Sequence, residues 1–137
     1  MSRVVLDCSV TLSWCFEDQA DSTSDALLDA LDETEAIAPA IWPLELANAL
    51  LVAERHGRLS AADGSRFLQL VGGLPILVED LTFSRATGAV LATARQTKLS
   101  SYDAAYLELA MRTGASLATR DRGLRRAARR LGVELYA

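Results

Sequence analysis

The chain holds 137 residues, half of them hydrophobic and 23% charged, with three prolines and no low-complexity stretch, a composition that fits one compact domain over residues 1–137. No apolar run approaches the ~18–20 residues of a membrane span, and Asp7 arrives too soon for the apolar core of a secretory leader, so a cytoplasmic protein without a membrane partner is expected. Net charge is −4, but nine acids crowd residues 1–35 against Arg3 alone, while seven arginines fill 112–130 against Asp121; the asymmetry says more about partners than the total.

From the N-terminus, Val4, Val5 and Leu6 read as a buried strand that stops at Asp7. A short helix follows over about 9–16, and a second over roughly 22–34 sets Ala26, Leu27, Ala30 and Leu31 on one stripe. Cys8 leaves the strand and Cys15 lies in the first helix, a poor arrangement for a bridge, so two buried free thiols are expected. "AIAP" (36–39) is a brief strand, and Pro43 suits the first turn of a helix running to about His56, where Gly57 can end it. Residues 59–73 form a fourth helix closed by Gly72 and Gly73, 75–80 a strand, and 82–97 a long Ala-rich helix. Helix start and stop signals bracket 100–114; then 116–119 is a strand, 121–131 a helix and 133–136 a last strand. Short strands alternating with helices through short turns indicate an α/β fold, with a central parallel sheet of four to five strands flanked by helices. Ligands bind such sheets at the carboxyl ends of the strands. Asp7 and Asp121 both stand at, or just past, such an end.

Four carboxylates stand out in this layout. Asp7 follows the first strand, Glu45 lies in the first turn of the helix after "AIAPAIWP", Asp103 in the first turn of the helix opened by Ser100 and Ser101, and Asp121 after "SLAT". Each has a structural reading of its own. Asp7 and Ser9 can serve free backbone N–H groups at a helix start, Ser100-x-x-Asp103 resembles a capping box, and Glu45 and Asp121 suit positive helix N-termini. If instead the helix starts converge, four carboxylates face one crevice. At ~5 Å and an effective dielectric of about 20, each ionised pair repels by roughly 3 kcal/mol. Such a cluster persists with raised pKa values or a bound cation, and all-oxygen ligands select Mg²⁺ or Mn²⁺ over zinc. Those ions polarise phosphoryl oxygens and activate water, chemistry that suits hydrolysis of a nucleic-acid backbone.

"VVLDCSV", "WPLELANAL", "SYDAAYLELA" and "LATRDRGL", in this order and spacing, resemble the acidic motifs of PIN-domain ribonucleases. The length, the SYDAAYLELA stretch and the Leu-Pro-Ile before the long helix look more narrowly like VapC-type toxins of bacterial toxin–antitoxin pairs. The resemblance covers essentially the whole chain. It implies a PIN-like domain whose site acids are Asp7, Glu45, Asp103 and Asp121. Asp7 and Asp103 would be the direct ligands of Mg²⁺ or Mn²⁺, with Glu45 and Asp121 acting through bound water or a second ion. Ser9 and Thr119 match polar positions that support the acids, and Asn48 shares the Glu45 face. The implied partners are an RNA substrate, a second copy in a homodimer, and a VapB-type antitoxin whose tail blocks the acidic crevice. Cys8 departs from the Ala, Thr or Ser usual beside the first acid.

Other signals are weaker. His56, the only histidine, reads as a dipole partner at a helix end, and without a second histidine a zinc site with Cys8 and Cys15 has little support. Trp14, Phe16 and Trp42 read as core, although in the resembled family nearby helices receive the antitoxin. Arg122, Arg125, Arg126 and Arg129 share a stripe that is either a solvated helix face or a phosphate-contacting ridge beside Asp121. Two rival functions remain open. An aspartyl-phosphate protein could use Asp7, but a dehalogenase-type enzyme wants an acid where Ser9 stands, and a receiver domain wants a placed lysine where the chain has only Lys98. A non-catalytic interaction module could also keep the fold, against which stands the complete set of four acids.

Overall fold

The structure is a computed structural model and describes residues 2–136. Four strands, β1 (Ser2–Leu6), β2 (Thr34–Ala38), β3 (Ile76–Val78) and β4 (Ser116–Ala118), form one sheet in the order β3-β2-β1-β4, every described pairing parallel. Between and after them run helices α1 (Cys8–Ser13), α2 (Ser22–Asp29), α3 (Trp42–Arg55) and α4 (Ala61–Gly72). Three more follow: α5 over residues 83–97, α6 (Ser101–Thr113) and α7 (Arg122–Arg130). The expected α/β architecture of a central parallel sheet flanked by helices is therefore present.

A strand flanked on both edges and covered on both faces must be apolar throughout, and Val4, Val5 and Leu6 of β1 meet that demand with almost no exposure. Val5 registers against Ile37 on one side and Leu117 on the other. Leu27 from α2, Leu107 and Leu109 from α6, and Leu124 from α7 complete the core. Burying each such side chain contributes roughly 1.5–3 kcal/mol. Helix α6 is buried from Ala104 to Ala110, and its Ala104 and Ala105 pack on Val90 and Ala94 of α5, small residues that allow close approach.

Several boundaries differ from those expected. The helix expected over 22–34 ends at Asp29, and the chain turns so that Leu31 enters the core and β2 begins at Thr34. The first helix stops at Ser13 and a 3₁₀ turn, Glu17–Gln19, follows. Helix α5 is not uniform: Phe83–Arg85 and Leu91–Thr97 are α-helical, whereas Ala86–Val90, around Gly88, is π-helical. The strand expected over 133–136 is reduced to one parallel bridge, Leu117 to Leu135, at the β4 edge. Cys8 and Cys15 are free as expected, though only Cys8 is buried. Trp42 and Phe16 are core residues; Trp14 is half-buried, its indole N–H donating to the Ser24 carbonyl at 2.9 Å.

At the far side of the sheet, Glu79, Arg85, Glu108 and Arg112 form a compact ion-pair network that ties the end of β3 to α5 and α6. Beside it the edge strand is bare: Leu77 is 62% and Phe83 84% exposed, with Val78 and Leu81 also open to solvent. Among the described residues no helix is long and apolar enough to cross a membrane.

Candidate active site

Chain order in the sheet dictates where a site can form. From β1 the chain moves outward through β2 to β3, then returns to the opposite side of β1 for β4. The reversal lies between β1 and β4, and crossovers leaving in opposite directions open a crevice at the carboxyl ends of those strands. Asp7 is the residue after β1, its backbone N–H bonded to the Ala118 carbonyl of β4 at 3.0 Å. Thr119, Arg120 and Asp121 follow β4 directly.

Asp7 occupies the N-cap position of α1, yet its carboxylate makes no capping hydrogen bond to that helix. Its Oδ2 instead accepts from Ser9 Oγ at 2.6 Å and Thr119 Oγ1 at 2.7 Å. Both hydroxyls are themselves anchored: Ser9 Oγ accepts the Arg120 N–H at 2.9 Å, and Thr119 Oγ1 accepts the Asp121 N–H at 3.1 Å. The strand end of β4 is thus laced to Asp7, which is only 7% exposed. Asp121 does cap its helix, Oδ2 accepting from the Leu124 N–H at 2.8 Å, and Ser100 caps α6 by accepting the Asp103 N–H at 3.1 Å.

The acids sense one another. Burial raises the Asp7 pKa above the ordinary aspartate range, although the Ser9 and Thr119 hydroxyls pull the other way. Burial, then the charges of Asp121 and Asp7, raises Asp103. Glu45 is raised by burial and by Asp7 and Asp103, against the hydrogen bond from Tyr106. The same neighbourhood, burial first and then Asp7 and Glu45, pushes the Cys8 thiol up to about 12, so that this unusual cysteine is protonated and unreactive. Among the described residues no three His, Cys, Asp or Glu side chains stand close enough to enclose an ion by themselves. Carboxylate oxygens are the ligands that hard divalent cations take, and such a cation can keep several waters and bind through only one or two carboxylates.

One member of the constellation escaped the sequence reading. Tyr106, fully buried in α6, donates its hydroxyl to Glu45 Oε1 at 2.5 Å across 61 residues of chain. The SYDAAYLELA stretch contains it, but only helical periodicity could have pointed to it, three residues after Asp103 and so on the same face. Tyr106→Phe keeps the packing and removes this donor. We expect it to cost about 1 kcal/mol in urea unfolding at neutral pH, with a smaller loss at pH 4, where Glu45 is protonated; equal losses at both pH values would detach Tyr106 from the Glu45 charge. Asn48, one turn from Glu45, is exposed and bonded to no described side chain, and exposed His56 caps the end of α3 away from the acids.

The arginine stripe divides. Arg122, Arg126 and Arg129 project into solvent, while Arg125 is half-buried and donates to the Thr119 carbonyl at 3.0 Å.

Comparison with known proteins fits this layout. The chain has 25% identity to PAE2754 from Pyrobaculum aerophilum, with TM-score 0.70 over 92% of this chain and 79% of that one. VapBC2 from Rickettsia felis, solved bound to a DNA fragment from its promoter, shares the fold at 12% identity and TM-score 0.69, covering 97% and 96% of the two chains. A toxin–antitoxin complex from Klebsiella pneumoniae superimposes with TM-score 0.59 at 14% identity, over 86% of each chain. No curated protein sequence matches. A family match described as PIN domain runs over residues 4–130. That span takes in most of β1, all of β4 and every helix that carries an acid, and the chain belongs to the PIN domain family.

Proposed function

We propose that the chain is a Mg²⁺- or Mn²⁺-dependent endoribonuclease acting as the toxin of a VapBC-type toxin–antitoxin pair. What supports this reading is that Asp7, Asp103, Asp121 and Glu45 lie near the carboxyl ends of the strands, where, beyond burial, Asp121 and Asp7 raise the pKa of Asp103 and Asp7 and Asp103 raise that of Glu45. Asp7 and Asp103 would hold the ion, and Glu45 and Asp121 would act through bound water or a second ion. A divalent cation there supplies polarisation of a phosphoryl oxygen and neutralises the charge that develops during in-line hydrolysis. The chain's own contribution is positional. Ser9 and Thr119 fix the rotamer of Asp7, Tyr106 fixes Glu45, and the cap of α7 fixes Asp121. Asp7, buried and committed to two hydroxyls, is better built as a ligand than as the freely exposed nucleophile of an aspartyl-phosphate protein.

Partners follow from the family and from two uncovered surfaces. Leu44, Leu51 and Val52 are exposed along one stripe of α3, spaced to receive an apolar antitoxin helix. The bare β3 edge with Leu77, Leu81 and Phe83 suits a second copy in a homodimer. The purified protein is expected to cut single-stranded RNA with Mg²⁺ or Mn²⁺ and to stop on addition of EDTA. Its expression should arrest growth, and co-expression with the small gene product encoded beside it should restore growth. An active nuclease that leaves growth untouched would remove the toxin role.

A further inference from the structure

The acids are not the only feature at the switch point. A cavity of about 430 Å³ opens on the other flank of the β4 carboxyl end, between the start of α2 and the start of α7. Thr119 forms part of its wall while its hydroxyl donates to Asp7, so one side chain separates this space from the first acid. The volume falls within the range of small-molecule sites, ample for one nucleotide and too small for a folded partner.

Its lining holds two arginines against one acid, Asp21. Arg120 and Arg125 both border it. Arg120 is held by Asp21, Nε to Oδ2 at 3.2 Å, and by the Gln19 carbonyl; Arg125 is held by the Thr119 carbonyl at 3.0 Å. These contacts fix the two guanidinium groups and leave most of their five N–H donors each for an incoming oxyanion. Of the apolar residues around the cavity, Val10 and Leu27 belong to the buried core, and half-buried Tyr136 supplies the aromatic surface, the kind on which a planar base stacks. A lone phosphate would use the arginines and leave the apolar part empty. A nucleotide uses both.

We propose that this cavity is a nucleotide subsite for the RNA strand: it seats the nucleotide adjoining the scissile phosphate, with phosphate on Arg120 and Arg125 and base against Tyr136. The subsite rests on the nuclease reading and adds to it the element that selects where the strand is cut. Arg125 therefore serves the strand from inside a cavity, apart from the solvated stripe of Arg122, Arg126 and Arg129.

Two variants of the full chain test it. Arg125→Ala removes a phosphate donor, and Thr23→Trp fills the cavity from its exposed rim without altering either arginine. Binding of a labelled single-stranded oligoribonucleotide is read by anisotropy in EDTA, where no cleavage occurs, and cut positions are then mapped with Mn²⁺. Both variants are expected to bind about tenfold more weakly, a change of ~1.4 kcal/mol. Arg125→Ala should also lower the salt dependence by ~0.7 log unit, and Thr23→Trp should redistribute the cut positions while raising KM more than it lowers kcat. Unchanged affinity and cut positions in both variants overturn the subsite and leave the nuclease reading standing. Wild type that binds the oligonucleotide through the cavity but never cuts it supports the subsite and overturns the nuclease reading. Displacement of the RNA by a poly-glutamate peptide of equal affinity would reassign the cavity to an acidic peptide and overturn the proposal.

Discussion

Asp7→Asn and Asp103→Asn are each expected to lower RNA cleavage with Mg²⁺ or Mn²⁺ by about 10³-fold or more, a loss of ~4 kcal/mol of transition-state stabilisation. The size follows from what changes. Asn keeps a carbonyl oxygen for the Ser9 and Thr119 hydroxyls that now hold Asp7, so the local fold survives. It loses the negative charge that a hard cation requires of its ligand. RNA binding in EDTA, which the proposed subsite assigns to the arginines rather than the acids, should stay within a few-fold of wild type. Initial rates over a range of Mn²⁺ concentrations decide the matter: either variant cutting at the wild-type rate would remove that residue from the site.

The second large effect is one of stability, and its sign is opposite to that of a lost interaction. Burial, and after it the neighbouring carboxylates, raises the folded-state pKa of Asp103, and burial raises that of Asp7. A carboxyl with a raised folded pKa leaves stability intact below the unfolded value, ~3.9, and subtracts from it as pH climbs through the folded value. Metal-free wild type therefore carries a penalty at neutral pH that Asp7→Asn and Asp103→Asn each relieve. Both variants should melt above wild type in EDTA at pH 7.5, by roughly 4 °C for each ~1 kcal/mol relieved in a domain of this size. The gap should close as pH falls toward 4. With Mn²⁺ at a hundred times its dissociation constant wild type should gain about 2.7 kcal/mol and overtake the variants, which gain much less. Variants that melt below wild type in EDTA and respond equally to Mn²⁺ would return both acids to the role of helix-start residues.

What the sequence disclosed, it disclosed through local chemistry. Ser100 and Asp121 announce helix starts because a short polar side chain can serve the free N–H groups there, and each does so in the fold. The apolar Val4–Leu6 run could only belong to a strand buried on both faces. The four acids were legible as residues in matching motifs. Their pairing with hydroxyls was legible only for Ser9 and Thr119, which lie inside the same motifs. What stayed hidden depends on contacts distant in sequence. Helix α2 stops at Asp29 although "DALLDALDE" continues the helical pattern, because Leu31 is drawn into the core and Thr34 is needed at the register of Ser2. Tyr106 reaches Glu45 from another helix, and the cavity exists only because residues near 21 and near 120 are brought together by the sheet. The last expected strand shrank to a bridge because β4 offers it only Leu117, whose N–H and carbonyl bond to Glu134 and Tyr136.

The two hydroxyls on Asp7 also differ in when they come into existence. Ser9 is two residues from Asp7, whereas Thr119 is 112 residues away. Translation therefore delivers the first acid well before the strand that completes its surroundings. Closing so long a span also waits on the ordering of what lies between. Until β4 settles against β1, Asp7 lacks its Thr119 donor, and the loop bearing Asp121 has no fixed place. A growing chain therefore lacks the completed surroundings of its first acid, as does any product of premature termination that stops short of β4.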